Sequence, residues 1–170
     1  MKRILVIGCP GSGKSTFARR LQEKAQLPLI PLDLLLWNAD RTMVARSVFL
    51  ARLHEALQQD RWIIDGNYAS TLPMRLEACD TVFFLDLPTA DCLQGIEARR
   101  GRPRPDLPWT EPADEPIDPE FLELVRGFAE RERSAILKQL QDCRGRKKIR
   151  IFRSHAEADE YLDHWKADEA

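Results

Sequence analysis

Short hydrophobic runs alternate along this chain with stretches in which apolar residues recur every three to four positions. That alternation predicts a parallel sheet flanked by helices, an α/β fold. Ile4-Leu5-Val6-Ile7 is apolar on both faces, as a central parallel strand must be. Phe17, Ala18, Leu21 and Ala25 have helical spacing and predict a helix from about Lys14. Leu29-Ile30 reads as a short second strand, and Phe49, Leu53, Ala56 and Leu57 as the buried face of a second helix. Trp62-Ile63-Ile64 and Thr81-Val82-Phe83-Phe84-Leu85 supply the third and fourth strands, each followed by an aspartate, Asp65 and Asp86.

After a helix near 90–100 the pattern fades into a proline-rich stretch containing Pro103, Pro105, Pro108, Pro112, Pro116 and Pro119. It reads as a long ordered loop or lid, about 99–117. A domain linker is the alternative, but one long helix, one strand and a final helix beyond it are too little for an independent core. A single domain over 1–170 is therefore expected. Asp118-Pro119 is a helix start, with Phe121, Val125 and Phe128 on its buried face. Ile149 to Phe152 is the fifth strand. Ser154-His155-Ala156-Glu157 has the form of a capping box and opens a last helix with the stripe Ala158, Tyr161, Leu162 and Trp165.

Charge changes this picture little. Lys plus Arg number 26 against 27 Asp plus Glu, for a net charge of -1, which argues against a dedicated nucleic-acid binder. Cys9, Cys79, Cys92 and Cys143 are scattered without a metal or redox spacing, and His54, His155 and His164 stand isolated. Reduced thiols suit a cytoplasmic protein. The basic Met1-Lys2-Arg3 precedes only four apolar residues, a strand and not a signal peptide, and no run approaches the roughly 18 residues of a membrane span. A monomer is the default for this size.

The chemistry concentrates in Gly8-Cys9-Pro10-Gly11-Ser12-Gly13-Lys14-Ser15, a full G-x-x-x-x-G-K-[ST] match between a predicted strand and a predicted helix. Glycines there let successive backbone N–H groups point at phosphate oxygens, and the helix N-terminus adds its positive end. Gly8, Pro10, Gly11, Ser12, Gly13, Lys14, Ser15 and Thr16 are thus the candidate nucleotide-binding residues. Lys14 is expected to reach the β- and γ-phosphates of ATP, and the Ser15 hydroxyl to ligate Mg2+. A glycine turn with an incidental lysine would be the plainer alternative. The motif alone also fits GTPases, motor ATPases and binding proteins. The chain has no N-K-x-D guanine-reading motif, however, and no room for larger ATPase machinery.

In order along the chain come the phosphate loop, Leu32-Asp33 with Trp37, Trp62-Ile63-Ile64-Asp65-Gly66-Asn67-Tyr68, Phe84-Leu85-Asp86, and Arg99-Arg100-Gly101-Arg102-Pro103-Arg104-Pro105-Asp106. This order resembles the adenylate-kinase-like P-loop proteins labelled topology modulation proteins. The likeness spans nearly the whole chain, most specifically in the phosphate loop and the Asp-Gly-Asn-Tyr segment. Broader similarity reaches adenylate, shikimate and gluconate kinases and implies a five-stranded parallel sheet in the order 2-3-1-4-5 with a mobile lid. It implies an ATP-dependent phosphotransferase acting on a small acceptor, a nucleotide, nucleoside or metabolite. A nucleotide-binding ATPase acting on or regulating nucleic acid is the alternative.

The resemblance also distributes roles. Asp65 matches the Asp-Gly aspartate of adenylate kinases and would hold magnesium waters at the carboxyl edge of the sheet. Asn67-Tyr68 departs from the Phe-Pro-Arg found there, so a phosphate-clamping arginine is missing, and Arg75 is the candidate replacement. Asp33 takes the place from which shikimate- and gluconate-type kinases orient the acceptor hydroxyl, or else it caps a helix. Trp37 either stacks an acceptor ring or belongs to the core. Arg99, Arg102 and Arg104 are the lid arginines expected to neutralise the triphosphate, unless the loop is a solvated basic patch. Asp86 reads as structural.

Overall fold

The structure is a computed structural model that describes residues 1–110 and 112–165. Five strands, β1 (Arg3–Gly8), β2 (Leu29–Pro31), β3 (Trp62–Asp65), β4 (Thr81–Leu85) and β5 (Lys148–Phe152), form one parallel sheet in the order β2-β3-β1-β4-β5, the order expected. Ile4, Leu5, Val6 and Ile7 of β1 are completely buried, because helices cover both faces of the central strand. The outer strand β5 alternates instead, exposing Lys148 and Arg150 and burying Phe152.

Helices connect the strands. They are α1 (Lys14–Ala25), α2 (Leu32–Leu36), α3 (Arg46–Leu57), α4 (Leu72–Ala78), α5 (Thr89–Arg99), α6 (Pro119–Arg126), α7 (Ser134–Asp142) and α8 (His155–Asp163). Helix α1 buries Phe17, Ala18, Leu21 and Ala25, the stripe its spacing predicts. Phe17 joins Phe83, Phe152 and Tyr161 in an aromatic cluster whose ring centroids lie 5.2–6.0 Å apart, tying α1 and α8 to β4 and β5. The start of α6 is as expected, with the Asp118 carboxylate accepting from Glu120 N–H at 2.9 Å. At α8 the Ser154 hydroxyl accepts from Glu157 N–H, while the Glu157 carboxylate reaches back to Arg153 N–H, one residue before the cap.

The long helix expected after Asp118 is interrupted. Between α6 and α7 the backbone makes a π-helical turn over Ala129–Arg133. The buried positions explain it: Val125, Phe128, Ile136 and Leu140 share one face, yet eight residues separate Phe128 from Ile136. Two regular turns hold only 7.2 residues, so one wider turn absorbs the excess and keeps both halves facing the sheet.

The parallel register brings all carboxyl ends to one edge. Val6 and Pro31 both lie level with Asp65, and Gly8 and Leu85 are paired beside them. The phosphate loop leaves β1 at this edge, where ligands of open α/β sheets sit. No helix among the described residues is long and apolar enough to cross a membrane.

Candidate active site

Local stereochemistry shapes the phosphate loop. Gly11 and Gly13 have φ of +83° and +84°, a left-handed conformation that side chains disfavour. Gly11 is also fixed by space: a Cβ there would lie 2.0 Å from the Cys92 carbonyl oxygen of α5, and one on Gly95 would lie 2.2 Å from the Gly11 carbonyl oxygen. The loop closes as Ser12 N–H donates to the Cys9 carbonyl at 3.1 Å, and Gly13 then becomes the N-cap of α1. His155 sits behind it, with Nε2 3.2 Å from the Ser12 carbonyl oxygen. Pro10 is half-buried, and Thr16 is exposed with its hydroxyl accepting from Arg19 at 3.3 Å.

Lys14, Ser15 and Asp65 come together where β3 ends beside the loop. Burial pushes the Asp65 carboxyl up to about 6; the Lys14 charge and a hydrogen bond from the Ser15 hydroxyl oppose that rise, and Asp33 and Asp106 add to it. Oδ1 of Asp65 and Oγ of Ser12 are buried without a hydrogen-bond partner among the described residues. Buried orphans of this kind are costly. An anion in the loop and a hydrated cation at the carboxylate would satisfy both, so the residues present fit a phosphate chain with its Mg2+.

Asp33 lies in the first turn of α2, whose N-cap is Pro31, so it is not the helix cap. Its Oδ1 accepts a 2.6 Å hydrogen bond from the Tyr68 phenol, and the Trp37 indole lies beside that same phenol. Burial, followed by the Asp33 charge, pushes the Tyr68 pKa up, which keeps the phenol a proton donor. Trp37 is only half-buried, and beyond Tyr68 it meets Trp109 of the lid edge-on, centroids 5.6 Å apart at 84°.

Arg75 does not fill the place of a phosphate clamp. Its side chain is fully buried and donates to the Thr71 hydroxyl and to the carbonyls of Gly66, Asn67 and Tyr68 at 2.9–3.1 Å. A guanidinium so committed holds the loop after β3 in shape. Asp86 is likewise structural, gripped through both oxygens by Arg133 at 2.6 and 2.8 Å, and the neighbouring Glu132 accepts from the Asn67 amide at 2.6 Å. The π-helical turn thus pins two strand-end loops at once.

In the lid, Arg104 and Arg19 of α1 both pair with Asp106, which is 3% exposed. Burial pushes that carboxyl up, but the Arg104 hydrogen bond and the two arginine charges outweigh it and hold the group below the usual carboxylate range. Arg99 lies 5.8 Å from the centroid of the Phe121 ring, and Arg102 is exposed. Arg100 ties the lid to itself through the carbonyls of Ala113 and Glu115, each at 2.8 Å. The lid is therefore docked on α1, and Arg104 faces a carboxylate where a triphosphate was expected.

Tyr68, Asp106, Arg19 and Glu132 escaped the sequence reading. Tyr68 and Asp106 stand inside the segments that carry the family resemblance, which is the one signal that would have found them. Arg19 and Glu132 lie on helix surfaces with nothing to distinguish them.

No protein-family model matches the chain, and neither does any curated protein. Among solved structures it is similar to shikimate kinase from Bacteroides thetaiotaomicron, with TM-score 0.63 and 15% identity over 95% of this chain and 94% of that one. A gluconokinase from Sinorhizobium meliloti 1021 matches with TM-score 0.55 and 17% identity over 95% of this chain and 87% of the other. Strand order, helical layers and these neighbours together give the chain the P-loop kinase fold.

Proposed function

We propose that the protein is an ATP-dependent phosphotransferase that moves a γ-phosphate to the hydroxyl of a small acceptor. The observation that carries this is the convergence of Lys14, Ser15, Asp65 and Asp33 at one sheet edge, with a buried carboxylate oxygen and a buried hydroxyl lacking partners. Kinase names on two structural neighbours, and the resemblance to topology modulation proteins, support the same class.

Backbone N–H groups from Gly11 to Thr16 cradle the phosphates, and Lys14 balances charge on the β- and γ-oxygens. Ser15 and Asp65 would hold Mg2+, which supplies further charge neutralisation when bound. Asp33 orients the acceptor hydroxyl and takes its proton as the acceptor oxygen bonds to the γ-phosphorus and the bond to the bridging oxygen of ADP breaks. Arg99, Arg102 and Arg104 close the lid over the phosphates, Arg104 exchanging Asp106 for a phosphate oxygen. A monomeric cytoplasmic enzyme is the accompanying proposal. An ATPase acting on nucleic acid is less well supported, since the net charge is -1 and Arg100 is engaged within the protein.

Calorimetry with ATP and Mg2+ tests the binding half, and transfer from γ-labelled ATP to a panel of nucleosides, nucleotides and hydroxy acids tests the chemistry. Binding that disappears in Lys14→Ala is expected. Undetectable ATP binding in the parent protein, or a Lys14→Ala variant that binds and transfers as the parent does, would defeat the proposal.

A further inference from the structure

The acceptor side of the site has a character of its own. Asp33 is held by the Tyr68 phenol, which donates to Oδ1 at 2.6 Å and has the Trp37 indole beside it. One carboxylate oxygen is thereby committed, leaving Oδ2 for an incoming hydroxyl. Beside it, Trp37 and Trp109 bring two half-buried indoles together, one from the end of α2 and one from the lid. Arg41 and Glu115 clamp the same two segments with contacts of 2.9 and 3.0 Å.

Charge on this side is negative. Asp33 and Asp106 lie close enough to Asp65 to oppose its ionisation, and the arginines nearest them, Arg19 and Arg104, are already paired with Asp106. Arginines around the aromatic pair are engaged: Arg75 with three carbonyls and a hydroxyl, Arg52 with the Leu35 carbonyl at 3.0 Å, and Arg41 with Glu115. A carboxylate or phosphate on the acceptor would approach these aspartates without a committed counter-charge, and like charges at such range repel. A planar ring, by contrast, finds indole faces to stack on, and a hydroxyl finds Asp33.

Resting on the phosphotransferase proposed above, we infer that the acceptor is a neutral hydroxyl compound carrying a planar ring, of the nucleoside kind, with Trp37 and Trp109 selecting the ring and Tyr68 positioning Asp33. In the reaction the acceptor oxygen gains the γ-phosphoryl group, its proton passes to Asp33, and ADP leaves with the bridging oxygen.

Acceptors matched in ring and differing in charge decide the matter: adenosine, cytidine and thymidine against their 5′-monophosphates, with gluconate and shikimate as anions without an aromatic ring, all with Mg2+ and ATP. At least one neutral nucleoside is expected to exceed its monophosphate about tenfold or more in kcat/KM, equivalent to about 1.4 kcal/mol. Trp109→Leu is expected to raise the nucleoside KM about tenfold with a smaller change in kcat, and Trp109→Phe to restore most of it. Faster transfer to a monophosphate or hydroxy acid overturns the inference and leaves the kinase proposal standing. So does transfer to no nucleoside while ATP binding is intact, or an unchanged KM in a folded Trp109→Leu variant. Loss of ATP binding itself would instead sink the parent proposal.

Discussion

Asp65 is the residue whose chemistry and stability pull apart. Its folded pKa of about 6 lies above the ordinary 3.8, so between those values the folded protein holds a proton that the unfolded chain has released. Stability therefore falls as pH rises through that window, and the penalty, about 3 kcal/mol at full size, is complete above about pH 6. Asp65→Asn should accordingly be more stable than the parent at about pH 7.5 and nearly equal to it at about pH 4, as urea unfolding at both values would read. Affinity for ATP with Mg2+ should move the other way, tightening as pH rises through about 6 in the parent and staying flat in the variant. A parent whose affinity ignores pH over that range would contradict the assignment. The aspartate was legible in the sequence because it follows a fully apolar strand, whereas its raised pKa was not, since it depends on burial by the folded chain and on the charges of Asp33 and Asp106 brought in from distant segments.

Short elements carry the arrangements that periodicity does not reveal. Helix α2 and helix α4 are too brief to show a repeat, and α4 is preceded by a 3₁₀ turn over Ala69–Thr71. Its Arg75, which the sequence offered as a replacement phosphate clamp, is a buried bracket in the fold. Arg75→Leu would orphan three carbonyls at about 1–3 kcal/mol each, and a fall in melting temperature of about 10 °C or more is expected by calorimetry. The lid offers a second case. Asp106→Asn removes the carboxylate shared by Arg19 and Arg104, so trypsin cleavage within the ATP-free lid should quicken about tenfold, corresponding to about 1.4 kcal/mol of easier opening. Equal cleavage rates in both proteins would show that the ion pair does not restrain the lid. The strands, by comparison, were read nearly to the residue, because apolar runs between turn residues admit few other structures.

For the whole molecule the sheet decides what is rigid. The course of α1, α3, α5 and α8 follows from hydrophobic spacing, whereas the strand order was legible only through the family resemblance. How the lid docks on α1, and the π-helical turn on the loop after β3, was not legible, since those contacts join polar residues far apart in the chain. A ligand that bridges them should stabilise the folded state by mass action. ATP with Mg2+ at about a hundred times its dissociation constant should raise the melting temperature by about 5–10 °C, and Lys14→Ala should abolish the rise.

The close seating of Gly11 against α5 has a mechanical result. With Gly95 and the Cys92 carbonyl pressed on the loop, and Arg99 at its far end opening into the lid, α5 directly joins the phosphate cradle to the lid. A side chain at either glycine would therefore push α5 off the loop and displace the point where the lid begins.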